Sequence, residues 1–288
     1  MFQILKIVLL ACVSGFTAVL PVSSLGHFYL LKEVLGYTEK TFNASFYYAV
    51  FTVGAGLALC IYYFGVHTKI IKNIFRKKTS LNNESDYAFR NAGHNILISL
   101  IPVLFLFIPF SKTMFVGSLG AYFLSADSLI FVGAASILCA ILVFVSLWYV
   151  KTDYAEKGNL ISKKNAFFFG LYQLTAYIFP GVSHVSLGAS RIAVSDVDVK
   201  NVLKETYLYI GPAFLITGIS RVIFYFNGGE GVNIAAAVAG LIVSFAFSMI
   251  MLFFINKFFT KKAFRAFAIY TLIFGLVVTG TSLFRILL

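Results

Sequence analysis

The stretch Gly15–Leu31, GFTAVLPVSSLGHFYLL, lies inside an uncharged apolar run yet carries Pro21, Ser23, Ser24, Gly26 and His27. A proline there removes one backbone donor and frees a carbonyl that lipid cannot hydrogen-bond. Such a break survives only where protein or a wet cavity surrounds it. The stretch Phe179–Ser190, FPGVSHVSLGAS, poses the same problem in the second half, with Pro180, Gly181, Ser183, His184 and Gly188. How these two breaks are accommodated decides the fold.

Composition places them in a membrane. Of 288 residues, 60% are hydrophobic and 12% charged, against about half and about a quarter for a soluble domain. The 33 Phe suit side chains that face lipid. Eight stretches are free, or nearly free, of charge over spanning length: Ile7–Leu31, Ala44–Tyr63, Asn91–Ser111, Ser128–Val150, Asn165–Ser190, Thr206–Asn227, Ile234–Asn256 and Ala266–Phe284. Each meets the roughly 20 residues a span needs. The chain reads as an all-α polytopic membrane protein, one membrane domain over residues 1–288. Its N-terminal run lacks a convincing cleavage site and is read as retained.

Cys12, Cys60 and Cys139 lie in apolar runs at no metal-ligand spacing and read as small buried hydrophobes. The net charge of +12 is confined to short loops, so it points to retention on one membrane face and not to nucleic acid. Anionic lipid headgroups are natural neighbours for it.

The first and fifth stretches hold the breaks, and each opens a block that three plainer spans complete. With Pro21 and Pro180 as equivalent points, the chain reads as two repeats, about 1–150 and 160–288. If each motif segment dips in and returns to its own side, an odd number of spans turns the second repeat upside down. That is the logic of inverted-repeat transporters, whose broken helices meet near the midplane. Lysine and arginine positions support the second dip. Were every stretch to cross, the loops holding Lys69, Lys72, Arg76, Lys77, Lys78, Arg90, Lys151, Lys157, Lys163 and Lys164 would be balanced by loops opposite. Letting the fifth stretch re-enter adds Arg191, Lys200, Lys204, Lys257, Lys261, Lys262 and Arg265 to that side and restores a cytoplasmic bias.

Two inverted breaks imply a shared polar chamber. Ser23, Ser24, Ser183 and Ser186 supply neutral donors and acceptors, and N–H groups freed around Gly181 favour anions. His27 and His184 can donate to phosphate oxygens. A lone Pro with Ser is usually a kink, and a lone intramembrane His is often a structural partner. Repetition in both halves is what favours an anion site reachable from lipid. Arg221 reads as snorkelling toward an interface, with a phosphate contact the lesser alternative.

At these residues the sequence resembles the undecaprenyl-diphosphate phosphatase family, the bacitracin-resistance proteins of bacterial inner membranes. LPVSSLGH and YQLTAYIFPGVSH look like its two signatures, and FYYAVFTVGAGLAL and AFAIYTLIFG look like further family stretches. The resemblance implies six transmembrane helices plus two re-entrant helical hairpins in inverted repeats, in a multi-pass protein of the bacterial cytoplasmic membrane. It also implies a polyprenyl phosphate or diphosphate ligand, dephosphorylated on the outer face to recycle the carrier for wall synthesis.

Ser23, Ser24, His27 and Gln173 match family positions. Ser14 and Ala18 stand where the family has two glutamates, and His184 stands where it has an arginine. By resemblance, Ser23, Ser24 and His27 are the catalytic candidates. Ser14, Gln173, Gly181, Ser183, His184, Ser186 and Arg191 are the binding candidates, with Arg191 able to restore the lost charge. No cofactor is expected from the residues; a divalent cation enters through the resemblance only. Diphosphate hydrolysis needs a nucleophile, an activating base and positive charge. Serine and alanine provide neither base nor metal clamp, and Asp127, Glu33, Glu39, Glu205 and Glu230 fall at span ends or in loops. The expectation is therefore binding or flipping of the lipid phosphate. The alternatives are an active phosphatase using Ser and His, and, last, an ion or small-molecule transporter. A homodimer suits so compact a bundle.

Overall fold

The computed structural model describes residues 2–37, 42–81, 83–108, 129–149, 161–195, 197, 199–226 and 232–287. The parts of the expected spans at 109–111, 128, 150 and 227 lie outside the described residues, as do Glu39, Asp127, Lys151, Lys157 and Glu230. Among those described, the chain is helical: α1 Phe2–Ala18, α2 Ser24–Val34, α3 Ala44–Tyr62, α4 Phe64–Ile74, α5 Glu84–Leu104, α6 Leu129–Tyr149, α7 Lys163–Ile178, α8 His184–Ala193, α9 Val199–Tyr225, α10 Ile234–Phe258 and α11 Lys261–Leu287. Six are long and apolar enough to cross a membrane: α3, α5 with the short turn after it, α6, α9, α10 and α11. This is a multi-pass helical architecture.

The two motif stretches are each a helix, a break and a second helix. At 1.5 Å per residue α1 reaches about 25 Å and α7 about 24 Å, short of the ~30 Å hydrocarbon core. Thr17 Oγ1 donates back to the Val13 carbonyl at 2.6 Å in the last turn of α1. Pro21 then follows, and Ser23 restarts the helix by accepting the Gly26 N–H at 3.0 Å. In the second stretch Pro180 ends α7, Gly181 turns the chain at φ +105°, and Ser183 accepts the Ser186 N–H at 3.1 Å. Only glycine adopts that φ without strain. Both prolines and both capping serines are buried in protein, as a break inside a membrane requires.

Each second arm folds back on its first. Ser24 Oγ donates to the Ser14 carbonyl at 3.0 Å, and Gln173 Nε2 donates to the His184 carbonyl at 3.0 Å. The first arms then exchange partners: α1 packs on α10, and α7 packs on α5. Between them α3 lies along α9 and α10, α6 lies along α11, and α6 also touches both α2 and α8. Lipid gives helices little hydrophobic reason to associate, so close backbone approach at small residues does the work. Where α6 crosses α11, a Cβ on Gly133 would stand 2.8 Å from the Gly275 carbonyl oxygen, and one on Gly275 would stand 2.7 Å from that of Gly133. Ser248 Oγ ties α10 to α1 through the Gly15 carbonyl at 2.8 Å. Trp148, Ile223 and Phe253 point outward, the surface a lipid-solvated bundle presents.

Candidate functional site

Both breaks converge on one strut, the first turns of α6. A Cβ on Gly26 would meet the Val132 side chain at 3.0 Å, and one on Gly181 would collide with the Val132 carbonyl. Ser136 Oγ donates to the Gly181 carbonyl at 3.0 Å and to the Val132 carbonyl at 2.8 Å. Ser136 thereby satisfies a carbonyl that the break would otherwise leave bare in a buried place.

The helix caps count the breaks differently from the prolines. Ser23 follows Pro21 by two residues, whereas Ser183 follows Pro180 by three. With the caps aligned, His184 is the first residue of its helix and His27 the fourth. The histidines therefore face different neighbours.

His27 is held at both ring nitrogens. Nδ1 lies 2.6 Å from the Ser23 carbonyl, which can only accept, so Nδ1 carries the proton. Nε2 of the neutral ring then accepts from the Tyr270 hydroxyl at 2.7 Å. Phe274 stacks on the imidazole at 4.3 Å. Tyr270 is not among the residues singled out in the sequence, although it lies in the AFAIYTLIFG stretch; a hydroxyl in an apolar span is the signal, because it needs a partner. Beside His27 a cavity of about 520 Å³ is lined by Cys12, Val13, Phe16, Thr17, Leu20, Val22, Phe247, Phe267 and Tyr270. Its lining is largely apolar, with His27, Tyr270 and Thr17 the main polar residues.

His184 is fixed by Gln173 on α7. Gln173 Nε2 gives its proton to the His184 carbonyl, which orients the amide, and Oε1 then accepts from His184 Nδ1 at 2.8 Å. The imidazole packs against Tyr177 at 4.2 Å and Phe214 at 5.1 Å. Tyr177 accepts from Thr217 Oγ1 at 2.9 Å. Arg221 points inward: its Nη2 donates to the Tyr177 carbonyl at 3.4 Å and its guanidinium lies 5.2 Å over the Tyr177 ring. A snorkelling arginine would turn the other way.

The remaining candidates fall into two groups. Ser14, Ser23, Ser24, Gln173, Gly181, Ser183, His184 and Ser186 line the breaks or the arms beside them. Ser23 and Ser183 hydroxyls are used as caps, and Ser24 is engaged with Ser14 and lies beside the Tyr48 hydroxyl. Ser14 Oγ is buried with no hydrogen-bond partner among the described residues. Arg191 stands apart. It is seven residues beyond His184, about 10 Å along α8; there its guanidinium binds Asn165 Oδ1 and lies 5.6 Å over the Phe168 ring.

Carboxylates are elsewhere. Glu33 is exposed at the end of α2. Glu205 is more deeply placed than a span-end residue suggests, only 6% exposed, near Tyr209 and Tyr63. It precedes Arg221 by sixteen residues, about 24 Å along α9. No three of His, Cys, Asp and Glu come together among the described residues. With Ser14 and Ala18 offering no carboxylate, the donor set does not fit a divalent cation.

Fold and site together define a multi-pass helical membrane protein built round two buried helix breaks that share a strut. A sequence profile described as bacitracin resistance protein BacA matches residues 7–277, and the chain belongs to that family. Two proteins of Prochlorococcus marinus strains, each named undecaprenyl-diphosphatase, are 28% and 26% identical over 96% of this chain, covering 96% and 98% of their own lengths. An undecaprenyl-diphosphatase of Acholeplasma laidlawii is 25% identical over 96% of both chains.

Proposed function

We propose that the protein binds the phosphate headgroup of undecaprenyl phosphate or diphosphate between the two breaks and that it carries or flips this lipid in place of hydrolysing it efficiently. The observation that carries the reading is the 520 Å³ apolar cavity beside the first break, lined from α1, α2, α10 and α11 with His27 and Tyr270 among its residues. The second break meets the first across the α6 strut at Val132. The cavity offers a polyprenyl chain an apolar wall and its headgroup a polar stop. Its lining holds the His27 imidazole and the Tyr270 and Thr17 hydroxyls, with no carboxylate among the described residues to act as base or metal clamp. Losing either typically lowers rates by about two to four orders of magnitude.

The reading takes the α1–α2 and α7–α8 pairs as re-entrant hairpins of inverted repeats, about 1–150 and 160–288. Their short arms support this, and so does the exchanged packing of α1 on α10 and α7 on α5. Alternating access about a shared site is the motion such repeats allow. The location is the bacterial cytoplasmic membrane.

The test is a ligand-dependent melting shift of the purified chain with undecaprenyl phosphate, with phosphate release from undecaprenyl diphosphate measured in parallel. A shift with negligible release is expected. No shift at saturating lipid refutes the reading.

A second reading, an active phosphatase using Ser23 or Ser24 with His27, draws on one observation: the Ser23 carbonyl fixes the His27 tautomer and leaves Nε2 as the basic nitrogen, although Nε2 faces Tyr270 and not a serine hydroxyl. Release of phosphate that His27→Ala abolishes establishes it. Absence of release across divalent metals removes it.

A further inference from the structure

Glu205 is an acid where a membrane helix should carry none. It lies on α9 inside the apolar stretch Asn201–Tyr225, which is long enough to cross, and it is only 6% exposed. Its Oε2 is buried with no hydrogen-bond partner among the described residues, and it joins no ion pair there. The groups around it are neutral or turned away. Tyr209 lies one turn on along the same face of α9, with Asn95 of α5 beside its hydroxyl. Tyr63 of α3 packs on Tyr207 with ring centroids 6.3 Å apart and donates to Asn256 Oδ1 at 3.0 Å. From α8 this turn meets Gly188, and Lys204, the adjacent cation, is exposed.

An ionised carboxylate buried with a bare oxygen is costly, and binding a proton removes the charge. An intramembrane acid also marks a functional site by default. What this one can act on follows from the next two residues. A Cβ on Gly188 of α8 would stand 3.0 Å from Thr206, and the Tyr207 hydroxyl donates to the Val19 carbonyl at the first break at 2.5 Å. The turn that holds Glu205 thus touches both helix pairs. Further along, Pro212 removes a backbone bond from the interior of α9 and gives the helix a place to bend. A lipid phosphate that changes leaflet takes negative charge across the bilayer, and a proton travelling with it offsets that charge. We propose that Glu205 is the proton-binding site of this protein, taking a proton from water at one face and returning it to water at the other as the lipid phosphate crosses in the same direction. The proposal rests on the lipid-carrying reading above and adds the ion that drives it.

The test places the full chain in vesicles with a fluorescent undecaprenyl phosphate and follows the lipid's distribution between leaflets, with protein-free vesicles as the blank. For one coupled proton, a gradient of about one pH unit is expected to drive roughly a tenfold excess of the lipid into the leaflet on the alkaline side. Glu205→Gln, a near-isostere that binds no proton, is expected to abolish that excess, and its melting with undecaprenyl phosphate checks that it is folded. Native exchange that ignores the pH gradient, or follows a sodium gradient in its place, overturns the proposal and leaves the carrying reading intact. So does a Glu205→Gln chain that accumulates the lipid as the native chain does. A native chain that moves no lipid defeats the carrying reading, and the proposal with it. Should Glu205→Gln lose its fold, Glu205→Asp decides: an altered pH dependence of the excess supports the assignment, and an unaltered one overturns it.

Discussion

His27 Nε2 and the Tyr270 hydroxyl meet at 2.7 Å although 243 positions separate them in the chain. The bond fixes which way the imidazole faces at the end of the large cavity. Tyr270→Phe removes the hydroxyl and keeps the ring, so the fold is expected to persist. On the proposed lipid-phosphate reading, a net hydrogen bond of about 1 kcal/mol corresponds to roughly a fivefold loss of undecaprenyl phosphate affinity. Titration of the purified variant measures this; native affinity would mean the Ser23 carbonyl alone holds the ring.

Gly181 and Gly36 both have positive φ, at +105° and +70°, but only Gly181 is crowded. Gly36→Ala meets nothing within 4 Å and carries backbone strain alone, about 1–2 kcal/mol. Gly181→Ala adds a collision with the Val132 carbonyl and is expected to lower the melting temperature distinctly more. Equal losses would show that the second break relaxes freely against α6.

Gln173 serves His184 twice, as donor to its carbonyl and acceptor from its ring. Gln173→Leu leaves both groups buried and unpaired, a penalty of about 1–3 kcal/mol each. Gln173→Glu, its carboxyl protonated in so buried a place, keeps an acceptor for the ring and an O–H for the carbonyl in altered geometry. Thermal melting is expected to rank native above Glu and Glu above Leu. A Leu variant as stable as Glu would mean that the ring bond contributes nothing.

Gly133→Ala places a methyl 2.8 Å from the Gly275 carbonyl oxygen and drives α6 off α11. Because α6 also presents Val132 to both breaks and Ser136 to the second, the proposed lipid-phosphate binding should weaken along with the lower melting temperature. Gly280→Ala on α11 meets nothing within 4 Å and is the matched control, expected within about 0.5 kcal/mol of native. If both variants melt alike, the close crossing is not what holds these helices.

Much of the architecture was readable along the chain. The span lengths, the membrane setting and the two breaks follow from runs of apolar residues and from Pro21 and Pro180, whose effects act within a turn or two. The caps were not read: Ser23 and Ser183 entered as site candidates, and the structure spends both hydroxyls on the N–H three residues on. Equating the prolines concealed a one-residue offset, because a cap is defined by the helix it starts and not by the proline before it. Tyr48, Ser136 and Tyr270 went unremarked for another reason: as single hydroxyls in apolar helices they show nothing until a partner is known.

Arg221 marks the boundary most sharply. Its place near a helix end suggested an outward side chain, and only the packing of α9 against α7 and α8 turns it toward Tyr177. What the sequence determined by itself is local: which segments are apolar enough to cross, where the helix must stop and which serine restarts it. What the tertiary structure decided is which distant groups meet at those stops: Val132 under both, Ser136 on Gly181, Tyr270 on His27, and Arg221 on Tyr177. Hydrogen bonds within a turn and transfer into lipid are short-range effects written in adjacent residues. Contacts between helices depend on how the whole bundle closes, and no single segment encodes that.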